Sequence, residues 1–564
     1  MWGESNLLCI FLLRVMPRKK SVSIQQLAQD YLGYDDLRPG QEAAIASILE
    51  HRDTLAIMPT GSGKSAIYQL TAARIPGSTI VVSPLLALQK DQVESIAVEV
   101  GNAAVVNSTI STSDRANIFD QWRNGKIEFL FLAPEQFNNA DTIEHLQSAP
   151  PSLFVIDEAH CISEWGHSFR PDYLRLGTVI EALGHPTTLA LTATASPPVR
   201  EEIIQRLGMN HPRIIVRGFD RPNLRLAVEN YDDEAEKREI FIKRIQQLTK
   251  PGIVYVATRK VTESLAEALN EAGIKAIPYH AGLKHKEREQ AQNAFMSDEA
   301  EVIVATTAFG MGVDKPNVRF VLHYNISDSI DSYYQEIGRA GRDGDPANII
   351  LFYTPDDLNL RKFFSGGGKL EKEKVIELAE LVQQQSEPTH PKTLKSLIDL
   401  SGTKIKTTLS HLELLGIVEA LPTGEVTAKS DPPDLDQAAE EVLHAQERKT
   451  KVERSRLEMM RNYAEILDCR RNYLLNYFGD PREELCGNCD NCACGAANQQ
   501  STARKPYQLN SRIVHKSWGE GTVMRYESDK IVILFDEVGY KTIVLEAALL
   551  RGLLRRVELN NPSL

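Results

Sequence analysis

An apolar stretch at residues 54–58 runs directly into Pro59-Thr60-Gly61-Ser62-Gly63-Lys64-Ser65. Glycines at 61 and 63 allow successive backbone N–H groups to turn toward one anion, which makes a phosphate cradle. Within such a loop Lys64 reaches the β- and γ-phosphates of a nucleotide, and the Ser65 hydroxyl can ligate Mg²⁺. The strict motif has glycine where Met58 stands, so the fingerprint is incomplete although its strand, turn and helix context is intact. A second chemical pair, Asp157 and Glu158, sits at the end of the apolar run 153–157. Carboxylates at the carboxyl end of a parallel strand lie where open α/β sheets bind ligands. Asp157 is placed to hold Mg²⁺, directly or through water, and Glu158 to orient or deprotonate an attacking water. Alone, the pair would read as a solvated helix start; with the phosphate loop upstream it reads as the second half of a nucleotide site.

A loop dense in rings and charge follows at once, with Trp165, His167, Phe169, Arg170 and Tyr173. Such side chains are suited to holding unpaired bases by stacking. The stretch 153–173 therefore joins a nucleotide site to a nucleic-acid site. Downstream, Arg339 and Arg342 offer guanidinium charge for the γ-phosphate, an effect of about 10³ to 10⁵ in rate. An ion pair binding two lobes is compatible with that role. Cys469, Cys486, Cys489 and Cys492 form a four-thiolate set whose last three members recur every third residue. Tetrahedral Zn²⁺ fits the spacing, and its binding would fold a segment poor in apolar residues. Cys494 could replace Cys492, and an iron–sulfur cluster is the alternative metal.

These groups need elements to carry them. Short β-branched runs at 54–58, 79–83, 129–132, 153–157 and 188–192 alternate with amphipathic segments, the pattern of a parallel sheet covered on both faces. The alternation resumes with runs at 252–256, 302–305, 320–323 and 349–352 and no second phosphate loop. Two α/β units at 23–210 and 211–365, with one nucleotide loop between them, place the nucleotide in a cleft and assign Arg339 and Arg342 to its far side. After the glycines at 366–368, residues 370–432 read as three short helices and a two-stranded wing, a winged-helix outline. Lys404 and Lys406 on its third helix could lie against phosphates, and a packing module without nucleic-acid contact is the plainer alternative. A charged helical pair leads into the cysteines, spanning 434–497. Its stripe of Arg448, Lys449, Lys451, Arg454, Arg456 and Arg461 is interleaved with Glu, so a solvated face competes with a DNA-backbone contact. The tail, 506–560, alternates like a small antiparallel barrel after a flexible linker at 499–504.

Composition bounds the rest. At 564 residues about three to five domains are expected. A net charge of −12 argues against coating nucleic acid by bulk electrostatics, leaving room for a local basic groove. Five of the seven cysteines fall between 469 and 494, clustered rather than framed for disulfides, as expected in a reducing, cytoplasmic compartment. Residues 1–22 read as an unstructured leader whose apolar run is too short to span a bilayer.

The joined string from Asp157 to Tyr173, DEAHCISEWGHSFRPDY, resembles superfamily 2 DNA helicases of the RecQ family. The likeness extends to LRPGQ (37–41), SPLLALQKDQ (83–92), LTATA (191–195), FDRPN (219–223), ATTAFGMGVDKPNVRFVLHY (305–324) and YYQEIGRAGRDG (333–344). It implies an α/β fold of two tandem RecA-like lobes. The resemblance implies adenine reading by Gln41, whose amide has the donor and acceptor needed for adenine's N6 and N7 edge; Tyr34 could stack on the base. It also places Arg38, Gly312, Asp314 and Gln335 at the nucleotide and favours Arg342 as the more direct phosphate contact. The cysteine segment resembles the RecQ zinc subdomain, which favours Zn²⁺ over iron–sulfur. In that family the winged helix follows the zinc module, whereas the candidate here precedes it. The tail resembles the Tudor-like module ending UvrD-type helicases, which implies docking of a protein partner.

The expected function is an ATP-, Mg²⁺- and Zn²⁺-dependent DNA helicase, acting on single-stranded and partially duplex DNA, with 3′-to-5′ polarity implied by the resemblance. The rivals are a DNA-stimulated translocase that remodels complexes without unwinding and a DNA-binding scaffold with an ATPase switch. Placement of Trp165 just after the DEAH string yields a test: Trp165→Ala retains ATP binding but loses DNA stimulation and unwinding, and normal strand displacement by that variant would remove the coupling role.

Overall fold

In the computed structural model the described residues are 23–84, 102–107, 110–163, 169–310, 315–365, 370–385, 387–421, 425–480, 482, 484–497, 506–507, 511–527 and 529–556. The expected leader at 1–22 lies outside them, as do Trp165, His167, Gly312 and Asp314.

The first sheet contains β1 (Thr54–Ile57), β2 (Thr79–Val82), β3 (Ala103–Val106), β4 (Phe129–Leu132), β5 (Leu153–Ile156), β6 (Thr187–Thr192) and β7 (Arg213–Val216). All pairings are parallel, in the order β3-β4-β2-β5-β6-β1-β7. The central strands are buried along their whole length, which is why they read as continuous apolar runs. This order brings the carboxyl ends of β5, β6 and β1 side by side. They carry Asp157 and Glu158, the Thr192 to Thr194 turn, and the phosphate loop. Because β7 pairs with β1, the first sheet runs past the expected division at 210/211. β7 is an edge strand whose first two residues are exposed, so it lacks the apolar signature that would have shown its membership.

The second sheet contains β8 (Leu224–Asn230), β9 (Gly252–Tyr255), β10 (Ala276–Tyr279), β11 (Val302–Ala305), β12 (Phe320–His323) and β13 (Ala347–Tyr353). It too is wholly parallel, in the order β10-β11-β9-β12-β13-β8. The two lobes are tandem RecA-like units, and Phe219 on the segment between them is buried.

Beyond the lobes, helices Lys372–Gln383, Pro391–Leu394 and Gly402–Leu414 precede a small antiparallel pair, β14 (Val418–Ala420) with β15 (Val426–Ala428). The middle helix is a single turn, shorter than its apolar pattern suggests. The charged pair expected after it is one helix of 31 residues, Leu435–Glu465, followed by Arg470–Tyr477. Ala438, Ala439 and Val442 on its first turns belong to the core of residues 370–430, whereas Leu457, Met460 and Tyr463 join the core of the motor. The expected boundary near 433 is therefore bridged by a rigid strut. Arg175 of the first lobe forms an ion pair with Glu413 of the unit at 370–430.

The tail is an antiparallel sheet of β16 (Arg512–His515), β17 (Gly519–Glu527), β18 (Lys530–Phe535), β19 (Gly539–Val544) and β20 (Leu554–Arg556), ordered β19-β18-β17-β16-β20. Met524, Val532, Leu534 and Tyr540 pack into the motor core. Among the described residues no helix is long and apolar enough to cross a membrane.

Gly252 on β9 shows how tightly the second sheet is packed. A Cβ there would lie 2.1 Å from the Phe320 ring on the neighbouring β12. Gly252→Ala is expected to destabilise the protein by about 1–3 kcal/mol through overpacking, read as an earlier denaturant midpoint; an unchanged midpoint would show that Phe320 moves freely.

Candidate active site and metal centre

Gly61 and Gly63 have φ of 79° and 72°, the left-handed region that an L side chain resists, and this turns the loop back before the helix Lys64–Ala72 begins. A Cβ at Gly63 would stand 2.7 Å from Gln41 Nε2, so glycine is needed there for space as well. Lys64 Nζ donates to the carbonyls of Met58 at 3.1 Å and Pro59 at 3.4 Å. Its pKa lies below the ordinary lysine value: burial opposes the charge, Glu158 and Asp157 favour it, and Arg342 opposes it. Thr60 and Ser65 are half-buried in the same loop and helix start. Ser62 Oγ is buried without a hydrogen-bond partner among the described residues, as expected of a hydroxyl beside a phosphate site.

Asp157 is 8% exposed, and its carboxyl is pushed up to about 7, by burial first and then by Glu158, with Lys64 opposing. The folded chain therefore holds this proton more tightly than an unfolded chain, and stability falls as pH rises from the carboxylate range through about 7. Two adjacent carboxylates whose repulsion Lys64 offsets only in part are a donor set that suits a divalent cation. Glu158 has φ 49° and ψ 45°, a strained conformation for a non-glycine residue that costs about 1–3 kcal/mol. His160 Nδ1 lies 3.3 Å from Glu158 Oε2 and 2.8 Å from Thr192 Oγ1. Thr192 Oγ1 in turn donates to the Thr194 carbonyl at 3.0 Å. Gln335 of the second lobe closes this chain across the cleft, its Nε2 3.4 Å from Thr194 Oγ1.

Gln41 is fully buried and engages the loop itself. Its Nε2 donates to the carbonyls of Ser62 at 3.0 Å and Gly63 at 2.9 Å, and its Oε1 accepts from Arg38 N at 2.7 Å. The Arg38 guanidinium donates to the Gly61 carbonyl. Half-buried Tyr34 brings its hydroxyl to the same place, 4.0 Å from where a Gly63 Cβ would stand. Gln41, expected at adenine, and Arg38, expected at the nucleotide, thus brace the phosphate loop, with Tyr34 beside them.

The two arginines of the GRAGR string take different positions. Arg342 lies against the loop, its Cδ 3.3 Å from where a Gly61 Cβ would stand. Arg339 is 8% exposed and turns toward Gly310 of the second lobe, its Nη2 2.9 Å from the corresponding Cβ position. The FDRPN string, to which the sequence assigns no particular role, makes a contribution here. Arg221 Nη2 donates to the carbonyls of Ala340 and Gly341, each at 2.9 Å, and Asn223 Nδ2 donates to Gly341 at 2.8 Å and Asp345 at 2.9 Å. The segment joining the lobes thereby fixes the arginine loop.

Of the aromatic loop, Phe169 and Arg170 are half-buried, and Arg170 Nη1 donates to the Pro84 carbonyl at 3.0 Å. Tyr173, expected with the base-stacking rings, is instead wholly buried and donates through its hydroxyl to the Asp157 carbonyl at 3.0 Å. An apolar core position wins over a surface one because its ring lies beneath the strand end. Lys404 is half-buried and Lys406 exposed on the helix Gly402–Leu414, flanking the face that buries Ile405, Leu409 and Leu412.

Cys469, Cys486, Cys489 and Cys492 converge, all four Sγ atoms within 4.8 Å of one another. Zn–S bonds of about 2.3 Å at tetrahedral angles need S···S separations of about 3.8 Å, and Cys486 and Cys492 are 3.8 Å apart. The donor set fits Zn²⁺. Exposed Cys494 is outside this cluster. Asp490, beside Cys489, accepts from Arg470 Nε at 2.6 Å and from Val228 N at 2.8 Å, and Leu226 forms a parallel bridge with Cys489. The thiolate knuckle therefore covers the β8 edge of the second sheet.

Three family profiles match the chain: DEAD/DEAH box helicase at residues 38–203, helicase conserved C-terminal domain at 236–344 and RecQ zinc-binding at 431–493. The probable ATP-dependent DNA helicase RecS of Bacillus subtilis (strain 168) is 36% identical over 479 residues, which is 84% of this chain and 92% of the relative. The ATP-dependent DNA helicase RecQ of Pasteurella multocida (strain Pm70) is 35% identical over 476 residues, 84% of this chain and 63% of the relative. This chain thus spans less than two thirds of that longer protein. A solved structure of the DUF1998 helicase MrfA bound to DNA is similar in fold, with a TM-score of 0.51 and 18% identity, covering 75% of this chain and 61% of that one. Two tandem parallel-sheet lobes that face each other across one phosphate loop define a superfamily 2 helicase motor. With the zinc-binding segment and the relative matched over nearly its whole length, the chain belongs to the RecQ family.

The thiolate cluster predicts one zinc per chain. Stripping it with a chelator, or replacing Cys489 by Ser, is expected to lower the thermal midpoint of the full chain and raise protease sensitivity around 466–497; zinc loss with neither change would deny the cluster a folding role.

Proposed function

We propose that this chain is an ATP- and Mg²⁺-dependent DNA helicase that moves 3′ to 5′ on single-stranded DNA and unwinds partially duplex substrates. The observation that carries the motor reading is Arg342 of the second lobe lying against Gly61 of the first lobe's phosphate loop. A nucleotide between them is a shared ligand of both lobes, so its binding draws the cleft closed and its hydrolysis releases it. Residues Thr60 to Ser65 hold the phosphates, Lys64 the β- and γ-phosphates, and Arg342 the charge that spreads over the γ-phosphate as it leaves. Asp157 and Ser65 hold Mg²⁺, which neutralises phosphate charge when bound. Glu158 orients the attacking water and passes its proton through His160, and Arg339 supports the arginine loop from within the second lobe. Gln41, Tyr34 and Arg38 release the loop carbonyls to meet the base and ribose side of ATP. Gly312, Asp314 and Gln335 are assigned to nucleotide binding by the family resemblance.

DNA contacts fall to Trp165, His167, Phe169 and Arg170, next to the catalytic carboxylates. The hydroxyl of Tyr173 on the Asp157 carbonyl offers a mechanical path between this loop and the metal site. Separating a base pair costs about 1.4 kcal/mol of stacking, and stacking one base on an aromatic ring returns about 1–3 kcal/mol. Sensor rings of this kind are therefore sufficient to bias opening. The unit at 370–432 is read as a winged helix placed before the zinc module, a reading supported by the bridge of Thr389 to Val426 beside β14 and β15. Lys406 is exposed and Lys404 half-buried on the helix Gly402–Leu414, and each suits phosphate contact. The tail at 506–560 is read as a Tudor-like barrel with capacity for a protein partner. The domain plan is completed by lobes at 23–210 and 211–365, the first extended through β7, and a zinc module at 434–497. Repair or recombination in the bacterial cytoplasm or nucleoid is the setting that fits the bacterial relatives.

The test compares ATP turnover with and without single-stranded DNA, alongside strand displacement on duplexes tailed at either end. DNA-stimulated turnover and displacement from a 3′ tail are expected, with both lost in Lys64→Ala. Stimulated turnover with no displacement on either tail would overturn unwinding and leave a translocase.

A further inference from the structure

The helix Ile330–Ile337 carries Gln335 to the first lobe and leads directly into the arginine loop. Within the second lobe it is held by Glu336, whose Oε2 lies 2.7 Å from His323 Nε2 and accepts from Ser327 Oγ at 2.8 Å, and it is held from outside the lobes as well. Asp331, in its first turn and 4% exposed, has its Oδ2 2.5 Å from the hydroxyl of Tyr477 and 3.3 Å from Arg456 Nη2. Arg456 and Tyr477 belong to the two helices on either side of Cys469, one of the four clustered cysteines. We infer that Asp331 is a positioning residue for ATP turnover, through which the zinc module sets the helix that presents Gln335 and Arg342 to the phosphate loop. The inference rests on the proposed ATPase reading and adds a residue outside every motif used for it.

Three observations carry it. First, Asp331 and Gln335 are one helical turn apart and share a side of the helix, so a rotation that moves one carboxylate oxygen moves the cleft-spanning amide as well. Second, the same helix is gripped at two further points by groups outside it: Tyr333 Oη lies 3.2 Å from Tyr463 Oη of the long helix, and Tyr334 donates to the Phe219 carbonyl at 2.5 Å. Phe219 stacks on Phe478 of the zinc module, ring centroids 4.7 Å apart, so the grip closes on itself. Third, the charge is buried and directional. Arg456 is 8% exposed and faces Asp328 and Asp331, and a hydrogen-bonded ion pair out of water tolerates little displacement before its attraction fails to offset desolvation. The neighbouring Ser455 bonds both the N–H and the carbonyl of Tyr540, so the tail sheet braces the same turn from behind.

The experiment uses the full chain with Tyr477→Phe, which keeps the ring and the ion pair and deletes one hydroxyl, and with Asp331→Asn. Steady-state ATP turnover is measured with saturating single-stranded DNA, alongside thermal midpoint and zinc content. A fall in kcat of about tenfold to a hundredfold is expected, the scale of a misplaced catalytic group. The KM for ATP should stay within about twofold, because the loop that binds ground-state ATP is untouched, and zinc should be retained. Wild-type kcat in both folded, zinc-loaded variants, or a lowered midpoint with kcat unchanged, overturns the inference. If Asp331→Asn fails to fold, Tyr477→Phe decides alone. Absence of DNA-stimulated turnover in the wild type would instead overturn the ATPase reading itself.

Discussion

The guanidinium of Arg342 reaches the phosphate loop from a sheet that shares no strand with the loop's own sheet. An arginine so placed stabilises a transferring phosphoryl group only if its distance is held to a fraction of an ångström. Two separately folded lobes cannot meet that demand by themselves, since an interface between lobes is soft by default. Much of the remaining chain supplies the missing stiffness. Arg221 and Asn223 tie the arginine loop to the interlobe segment, and Gln335 ties it to Thr194 of the first lobe.

Closing the nucleotide site sets up opposed electrostatic demands. Asp157 and Glu158 repel each other in a buried strand end, while Lys64 and Arg342 crowd the loop with positive charge. The two sets partly offset each other, since Lys64 favours the charged form of Asp157 and both carboxylates favour the charged form of Lys64. The left-handed backbone of Glu158 stores strain at the same point and aims its carboxylate toward His160.

The zinc module has a second mechanical duty. The bridge between Leu226 and Cys489, with Val228 N bound to Asp490, caps the open edge of the second sheet. The stack of Phe219 on Phe478 lies where the two lobes join. Arg471 and Arg482 both pair with Asp220 on the same segment. A metal-stapled knuckle is thereby welded to the hinge instead of hanging from the end of the motor. The 31-residue helix then carries that rigidity to the unit at 370–430 on one end and the tail sheet on the other.

Sequence alone was sufficient for everything governed by local pattern. Strands β1, β2, β4, β5, β9, β11 and β12 are buried throughout, so each reads as an apolar run with its chemistry at the carboxyl end. Edge strands escaped that reading: β7 and β10 are half-exposed, and β10 contains Pro278. The four cysteines were legible because metal geometry restricts their spacing. Residue type could not say that Tyr173 would turn inward to Asp157, that Gln41 would hold the loop carbonyls, or that Arg456 would leave its charged stripe to meet Asp331. Those outcomes depend on which surfaces meet when distant segments pack, and a burial energy fixed by three-dimensional neighbours leaves no periodic trace along the chain. The candidate groups at the cleft were thus written in the sequence, whereas the contacts that hold them in place exist only in the assembled fold.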